Sequence, residues 1–466
     1  MSTTFSASFP KDMVDQDAVS IVRQLQGEGF ETYFVGGCVR DLLLQRHPKD
    51  FDIATAARPE ELKRVFGRRC RIIGRRFRLV HLHVGNQVFE IATFRGLPDD
   101  QELASDDSGF VVRANVFGTP REDAKSRDFT VNGLFYDPIA EQVIDHVGGT
   151  EDVNRRLLRT IGDADKRMRE DPVRLLRAVK FAARLELRLD EPIIASAPVA
   201  APLIATCPAA RVSEELYRLT ESGHARLAFE WMKRLGILQA LVPEIADAFE
   251  EGSPRRAHVL AWLDQIDRLT AAHGTLPREA TFALLAWPFV SAELDKKSDP
   301  WSVPWGRFAL AGVRELGVRL SVPIRHRHTL AGMADVLKRL RQFPTRRPHP
   351  HQLRAYGVPL ALTVQRMGFL MTGDGHQAYE LWASEAERIG LWAAPAEPRA
   401  DEAPDADGLP EVLAGAPPLE RAERPPRGER TDRADREPRP AAADGGPARP
   451  RRRRRGRKKE AGAPAA

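Results

Sequence analysis

The sequence predicts an α+β protein: a mixed-sheet head, then a long helical region, then a polar tail. Three observations predict it. Short strand-like runs are confined to the first part of the 466 residues, at Thr32 to Val35, Phe51 to Ala54, Arg71 to Ile73, Leu79 to Val84 and Val88 to Phe94. From Gly149 to about Ile389 the patterns are helical almost throughout. From about Glu397 the chain turns Pro-, Ala-, Arg- and acid-rich, with almost no aromatic or β-branched residues.

In the head, Glu60 to Phe66 reads as a helix among the strands, and all five strands can join one sheet. The stretch from Gly96 to about Lys125 is polar and pattern-poor and reads as a mobile loop, a length that is often functional. In the helical region, breaks are expected near Ala200, from Pro288 to Pro304 and from Arg347 to His351. No repeat of fixed period is present.

Composition narrows the function classes. No run of about 18 apolar residues occurs, so a membrane span is not expected. The start, Met1-Ser2-Thr3-Thr4-Phe5, lacks the charged-then-apolar order of a secretory signal. Cys38, Cys70 and Cys207 are odd in number and lack metal-ligand spacing, which fits a reduced cytoplasm. The net charge is +6, and its basic extreme is the block Arg451 to Arg455, Arg457, Lys458 and Lys459, which would attract a phosphate backbone.

The most informative motif is Asp50-Phe51-Asp52. On a strand, residues i and i+2 share a face, so the two carboxylates would stand side by side and suit a hard cation. An isolated pair of this kind is more often a plain strand-end acid pair, and the preceding residues shift the balance. An apolar strand (Tyr33, Phe34, Val35) leads to Gly36 and Gly37 and then a helix from Cys38 to about Arg46. Glycines let the backbone approach a ligand closely, and a helix start favours an anion. A triphosphate fits, with Arg40 one turn in as a contact. Together these features point to metal-dependent nucleotidyl transfer.

A second motif runs from Arg169 to Phe181. Asp171-Pro172 reads as an N-cap with proline at the first helical position. Val173, Leu176 and Val179 then form an apolar face, with Arg174 and Arg177 on another. Spacing alone favours capping and a solvated arginine face. The functional alternative is a helix edge that recognises a base, since Arg offers fixed donors and an ionised Asp only acceptors. The pairs His326/His328 and His349/His351 have no accompanying cysteine or carboxylate framework and read as loop residues rather than metal ligands. His81 and His83 read as packed or hydrogen-bonded.

Five motifs occur in a fixed order: Gly36-Gly37-Cys38-Val39-Arg40-Asp41, Asp50-Phe51-Asp52, Arg127-Asp128-Phe129-Thr130-Val131-Asn132, the helix from Glu170 to Phe181, and Arg211-Val212-Ser213-Glu214-Glu215-Leu216. In this the chain resembles the class II nucleotidyltransferases, the bacterial poly(A) polymerases and CCA-adding tRNA nucleotidyltransferases, clearly over about residues 30 to 240 and weakly to about 390. The resemblance implies a polymerase-β-like head over 19–160 after a flexible 1–18, a helical neck over 161–225 binding the nucleotide base and RNA, a helical RNA-binding body over 226–395, and a disordered Arg-rich tail over 396–466. It implies Asp50 and Asp52 as metal-binding catalytic carboxylates, with Asp128 as a further catalytic acid and Glu90 competing for that role. Gly36, Gly37, Arg40 and Arg127 would hold phosphates, and Asp171, Arg174 and Arg177 would face the base. Ser126 departs from the family's usual second arginine, which puts one phosphate contact in doubt.

Ile72-Ile73-Gly74-Arg75-Arg76-Phe77-Arg78-Leu79, Asn115-Val116-Phe117-Gly118 with Glu122-Asp123-Ala124, and Pro323-Ile324-Arg325-His326-Arg327-His328 resemble the poly(A) branch. The implied activity is template-independent addition of AMP from ATP to RNA 3′ ends, promoting RNA decay, with Mg²⁺ as cofactor and Mn²⁺ left open. RNA 3′ ends are the expected partner, with an RNA chaperone or degradation machinery as a further one. A cytoplasmic monomer is expected. The alternatives are a CCA-adding enzyme and a catalytically idle RNA-binding protein, against which the intact Asp50 and Asp52 argue.

Overall fold

The computed structural model describes residues 2–73, 79–96, 103–105, 111–113 and 117–391, with backbone alone at 103–105 and 111–113. The expectations for Gly74 to Arg78, Asn115 and Val116, and the tail over 396–466 lie outside the described residues.

The head is built on one eight-stranded sheet. Its strands are β1 (Thr3–Ser6), β2 (Thr32–Val35), β3 (Ile53–Thr55), β4 (Cys70–Ile73), β5 (Leu79–Val84) and β6 (Gln87–Thr93), together with β9 (Leu134–Asp137) and β10 (Gln142–Asp145). A separate hairpin pairs β7 (Leu103–Ser105) with β8 (Val111–Arg113). The sheet order is β1-β10-β9-β2-β3-β6-β5-β4. Only β3 and β6 run parallel, and parallel strands need a crossover. That crossover carries α3 (Pro59–Phe66), whose Leu62 and Phe66 enter the main core. The other packing helices are α1 (Gln16–Gly27), capped by Asp15, and α2 (Gly37–Leu43). The opposite sheet face carries a smaller cluster, Val35, Ala54, Phe94, Ala124 and Phe135.

Several expectations need correction. β3 begins at Ile53, so Asp50 and Asp52 lie in the extended lead-in rather than within the strand, although Val35 N–H still donates to the Asp52 carbonyl at 3.0 Å. The polar stretch before Arg127 contains a helix, α4 (Pro120–Ser126), because Thr119 and Glu122 close a capping box around Pro120. Strands β9 and β10 were not expected. They form because Leu134, Phe135, Tyr136 and Val143 are buried between neighbouring strands and core.

Past the sheet the chain is helical apart from the short parallel pair β11 (Leu157–Leu158) and β12 (Arg188–Leu189). In order come α5 (Gly149–Asn154), α6 (Ala164–Glu170), α7 (Val173–Leu185), α8 (Glu191–Ile204), α9 (Ala209–Thr220) and α10 (Ala225–Arg234). Next are α11 (Ile237–Leu241), α12 (Pro243–Ala246), α13 (Arg256–His273), α14 (Arg278–Asp295) and α15 (Trp305–Gly312). The last are α16 (Arg314–Arg319), α17 (Ile324–Gln342), α18 (Pro350–Leu353), α19 (Val358–Thr372) and α20 (His376–Arg388). The expected break near Ala200 does not occur, and the one expected from Pro288 to Pro304 falls only after Asp295, where α14 ends, with α15 resuming at Trp305. Helix α8 runs through Pro198 and Pro202, and α14 through Pro288. Burial of Ile193, Ala197, Ala200 and Ile204 in the first, and of Leu284, Trp287 and Val290 in the second, holds the helix despite the missing N–H donors.

Val173, Leu176 and Val179 of α7 are all buried, as their spacing predicts. A fully buried leucine such as Leu176 is worth roughly 1.5–3 kcal/mol before chain entropy is counted. That burial pins the polar edge of α7 against the head.

Candidate active site

The register of β3 on β6 places Ile53 opposite Ile91, so one step back Asp52 stands beside Glu90. Asp50, Asp52 and Glu90 line one open cleft of about 640 Å³, with Asp12 to Asp15, His47 to Lys49 and Gln87 to Phe89 on its other walls. Surrounding protein raises the Asp52 pKa first of all, and the negative charges of Glu90 and Asp50 add to that rise. Arg127 and Arg95 pull against it. Carboxylates that repel one another where water is partly excluded are stabilised by a shared cation, and hard divalent ions prefer such oxygen ligands. Asp50 and Asp52 supply the hard oxygen donors that a divalent ion prefers, whereas among the described residues no group of three or more acidic, His or Cys side chains is gathered closely enough to hold one. Glu90 also lies 3.6 Å from His81 Nε2.

Strand order gives the two flanks of β3 different chemistry. On the β2 flank, Gly36 begins α2 with φ +76° and ψ −123°, a backbone region closed to other residues. A Cβ there would lie 2.8 Å from Arg127 Nη1. Arg127 is oriented by Asp123, with Nη2 at 2.9 Å, and by the Asn132 carbonyl at 3.4 Å, and its guanidinium lies over Phe135. Arg95, which the sequence reading missed, carries the backbone N–H that donates to Asp123 and is within electrostatic reach of Asp52 and Asp128. Its signal was positional: it stands two residues past the end of β6, five residues beyond Glu90.

Arg40 is placed differently from expectation. It is 3 % exposed, donates to Asp41 Oδ1 at 2.6 and 2.9 Å and to Asn132 Oδ1 at 2.5 Å, and lies over the Phe181 ring. Its donors hold α2 against the Asn132 turn. Gly37 packs beside the same guanidinium.

Asp128 is likewise committed inside the protein. Its Oδ2 accepts from Arg177 at 2.6 and 2.8 Å, and its Oδ1 from Phe129 N–H and Asn132 Nδ2. Burial works to raise its pKa, but Arg177 and these donors outweigh it and hold the carboxyl below its ordinary value. Arg177 continues to Glu215, which also takes Lys180 at 2.7 Å, so α7 and α9 are joined to the Arg127–Asn132 segment.

Asp171 does not cap α7. It ends α6, and its Oδ2 accepts from Arg211 of α9 at 2.5 Å. Its Oδ1 is buried without a partner among the described residues. Arg174 Nε stands 4.0 Å from Asp171, and Nη1 donates to the Arg167 carbonyl at 2.7 Å. Burial and then the charge of Arg167 bring Arg174 down to about 10. The structure thus brings Asp50, Asp52, Glu90 and Arg127 to one place and Asp171, Arg174 and Arg211 to a second. Among the described residues no hydrogen bond or ion pair joins the two sets.

Paired carboxylates leading into a central strand of a mixed sheet, followed by a helical region, define a nucleotidyltransferase. A family model described as the poly A polymerase head domain matches residues 32–159, and one described as the probable RNA and SrmB-binding site of polymerase A matches 186–249. Poly(A) polymerase I of Haemophilus influenzae is 35% identical over 373 residues, spanning 77% of this chain and 82% of that protein. Poly(A) polymerase I of Salmonella typhi is 40% identical over 243 residues, 51% of this chain and 52% of its own length. A CCA-adding enzyme of Geobacillus stearothermophilus is 33% identical over 283 residues, 60% and 68%. The crystal structure of the Bacillus stearothermophilus CCA-adding enzyme in complex with CTP superposes with a TM-score of 0.57 at 27% identity, covering 80% of this chain and 82% of that one. The chain belongs to the tRNA nucleotidyltransferase/poly(A) polymerase family and is a nucleotidyltransferase. No described helix is long and apolar enough to cross a membrane.

Proposed function

We propose that this protein extends RNA 3′ ends with AMP from ATP, without a template. The observation that carries the proposal is the cleft where Asp50, Asp52 and Glu90 face one another, in a chain matched over 82% of a relative named poly(A) polymerase I. Asp50 and Asp52 are the metal ligands in this reading, with Glu90 beside them. Mg²⁺ held there would supply Lewis-acid stabilisation of phosphate oxygens and ease ionisation of the RNA 3′-hydroxyl.

The chain's own residues divide the rest of the work. In-line displacement at the α-phosphorus puts the attacking hydroxyl and leaving pyrophosphate on opposite sides. The β2 flank, with Gly36 and Arg127, suits the triphosphate; the cleft on the β6 flank suits the RNA end. Arg127, held by Asp123, meets developing charge without reorganising. Arg40, Asp128 and Arg177 position these groups through Asn132 and the Arg127–Asn132 segment rather than touching phosphate or base themselves.

The unpartnered Asp171 Oδ1 accepts from the adenine 6-amino group, and Arg174 donates to the neighbouring ring nitrogen. Cytosine presents the same donor and acceptor order on that edge, so this pair alone does not separate ATP from CTP. The deciding experiment extends a generic single-stranded RNA and a tRNA lacking its CCA end with each nucleoside triphosphate in turn, then with all together. Long ladders with ATP alone on the generic RNA support polyadenylation. Addition that stops after C, C and A on the tRNA assigns the CCA activity instead, and no extension of either leaves only RNA binding.

A further inference from the structure

Between Glu315 and Asp374 the chain carries ten Arg and Lys against one carboxylate, Asp335. Asp335 is already engaged by the Gly306 backbone N–H at 2.8 Å. This segment lies outside both matched family regions, 32–159 and 186–249. Some of its cations serve the fold: Arg341 reaches Gln365, Lys338 the Val303 carbonyl, and Arg319 pairs with Glu244. Arg325, His328 and Arg354 are exposed and form no ion pair among the described residues.

Arg325 and His328 lie on the stretch of α17 that carries Thr329, and Arg354 stands two residues before an unusual aromatic, Tyr356. Gly357 packs directly on Gly332 of α17; a Cβ on Gly357 would come within 2.4 Å of the Gly332 carbonyl carbon. That close approach lays Tyr356 along α17, where a Cβ on Gly332 would be 3.9 Å from the ring, and the phenol oxygen lies 3.3 Å from Thr329 Oγ1. The residue nevertheless stays 74% exposed. Arg325, His328, Thr329 and Gly332 fall at i, i+3, i+4 and i+7 of α17, one face of the helix. Single exposed aromatics are common on surfaces. This one is held at its hydroxyl and along its ring, in a stretch of chain whose one carboxylate is already engaged.

We propose that this face binds single-stranded RNA upstream of the 3′ end, with a base stacked on Tyr356 and flanking phosphates on Arg325 and Arg354. A stacking ring combined with a basic track is the chemistry by which single strands are held without sequence preference. Charge excludes an acid-poor protein partner and favours a polyanion with aromatic faces. The inference rests on the RNA-extending reading above.

The test uses the full chain and a labelled single-stranded oligoadenylate, followed by fluorescence anisotropy, beside AMP incorporation on that RNA and on a trinucleotide primer confined to the catalytic cleft. Y356A should weaken oligoadenylate binding roughly 5- to 100-fold, the range covered by base–aromatic stacking. Y356F keeps the ring and should bind like the wild type, and incorporation on the trinucleotide should be unchanged in both. Replacing Arg325 and Arg354 together by Gln should lower the salt slope of binding by about 1 to 2. Binding unchanged in Y356A, or a salt slope unchanged in the double arginine variant, overturns the proposal. Wild-type protein that binds the RNA with these sensitivities yet adds no nucleotide refutes the polymerase reading and leaves this surface standing.

Discussion

Replacing Asp128 by Asn tests whether this acid positions or reacts. Asp128 is 11% exposed and Arg177 28%, and two charge-assisted hydrogen bonds of 2.6 and 2.8 Å join them. Hydrogen bonds to charged groups contribute roughly 1.5–3 kcal/mol each. The amide keeps an oxygen for Phe129 N–H but turns an NH₂ toward the guanidinium, while Glu215 still holds Arg177. The net loss works out at about 3 kcal/mol, below the sum because Glu215 compensates part of it. Urea unfolding read on the head's transition measures it, and a cycle with Arg177→Met should give a coupling of about 2 kcal/mol. The low Asp128 pKa sets the pH sense: its contribution is present above the ordinary value of 3.8 and is lost as pH falls through the folded pKa. In activity, D128N and R177M should fall alike, by roughly ten- to a hundredfold, as expected of misplaced positioning groups. The reasoning is refuted if D128N is as stable as the wild type while its turnover falls far more than that of R177M, because Asp128 would then be acting on the reacting atoms.

Other expectations follow from the same geometry. Asp52→Ala should abolish AMP incorporation in a primer-extension assay while RNA affinity in a filter-binding assay stays within about twofold, since the carboxylate serves the chemistry rather than the RNA grip. Glu90→Gln should leave unfolding within about 0.5 kcal/mol of wild type, as an exposed site should, yet reduce turnover. Gly36→Ala places a Cβ against Arg127 at a positive φ, so stability should drop by about 1–2 kcal/mol and KM for ATP should rise in steady-state kinetics. Asp267 accepts from the N–H groups of Ala225 and Arg226, and burial raises its pKa to about 6. An acid raised in the folded state binds more protons there, so its contribution falls as pH rises from 3.8 to about 6, by at most about 3 kcal/mol. Asp267→Asn should flatten that part of the stability profile measured by denaturant titration between those limits.

What the sequence made legible was local, and what it hid was tertiary. The apolar spacing of Val173, Leu176 and Val179 specifies which face of α7 is buried, because helical period and burial are the same information. Asp171-Pro172 carries a capping signature, but its carboxylate is taken by Arg211, forty residues further along the chain and invisible to spacing. Proline suggested a break near Ala200 and one starting at Pro288, but packing of apolar neighbours outweighs the lost donors, so α8 continues and α14 runs on to Asp295 before the chain breaks. The four-residue strands β9 and β10 lacked a pattern long enough to distinguish from loop, and their existence depends on β2 lying alongside.

The acid side chains show the same division. Asp50 and Asp52 were recognisable as a pair because their partnership is encoded two residues apart. The third acid could not be chosen from the sequence, since Glu90 and Asp128 are both strand- or turn-associated acids at long range. Register decides between their surroundings: parallel pairing of β3 with β6 brings Glu90 into the charge field of Asp52, whereas Arg177 draws Asp128 into a closed set of hydrogen bonds. A carboxylate whose oxygens are already bonded has little left to offer a cation, while one exposed beside two like charges gains from it. That difference in remaining acceptor capacity, rather than motif membership, is the ground on which we propose Glu90 over Asp128 as the third acid, and its substitution is expected to separate activity from stability.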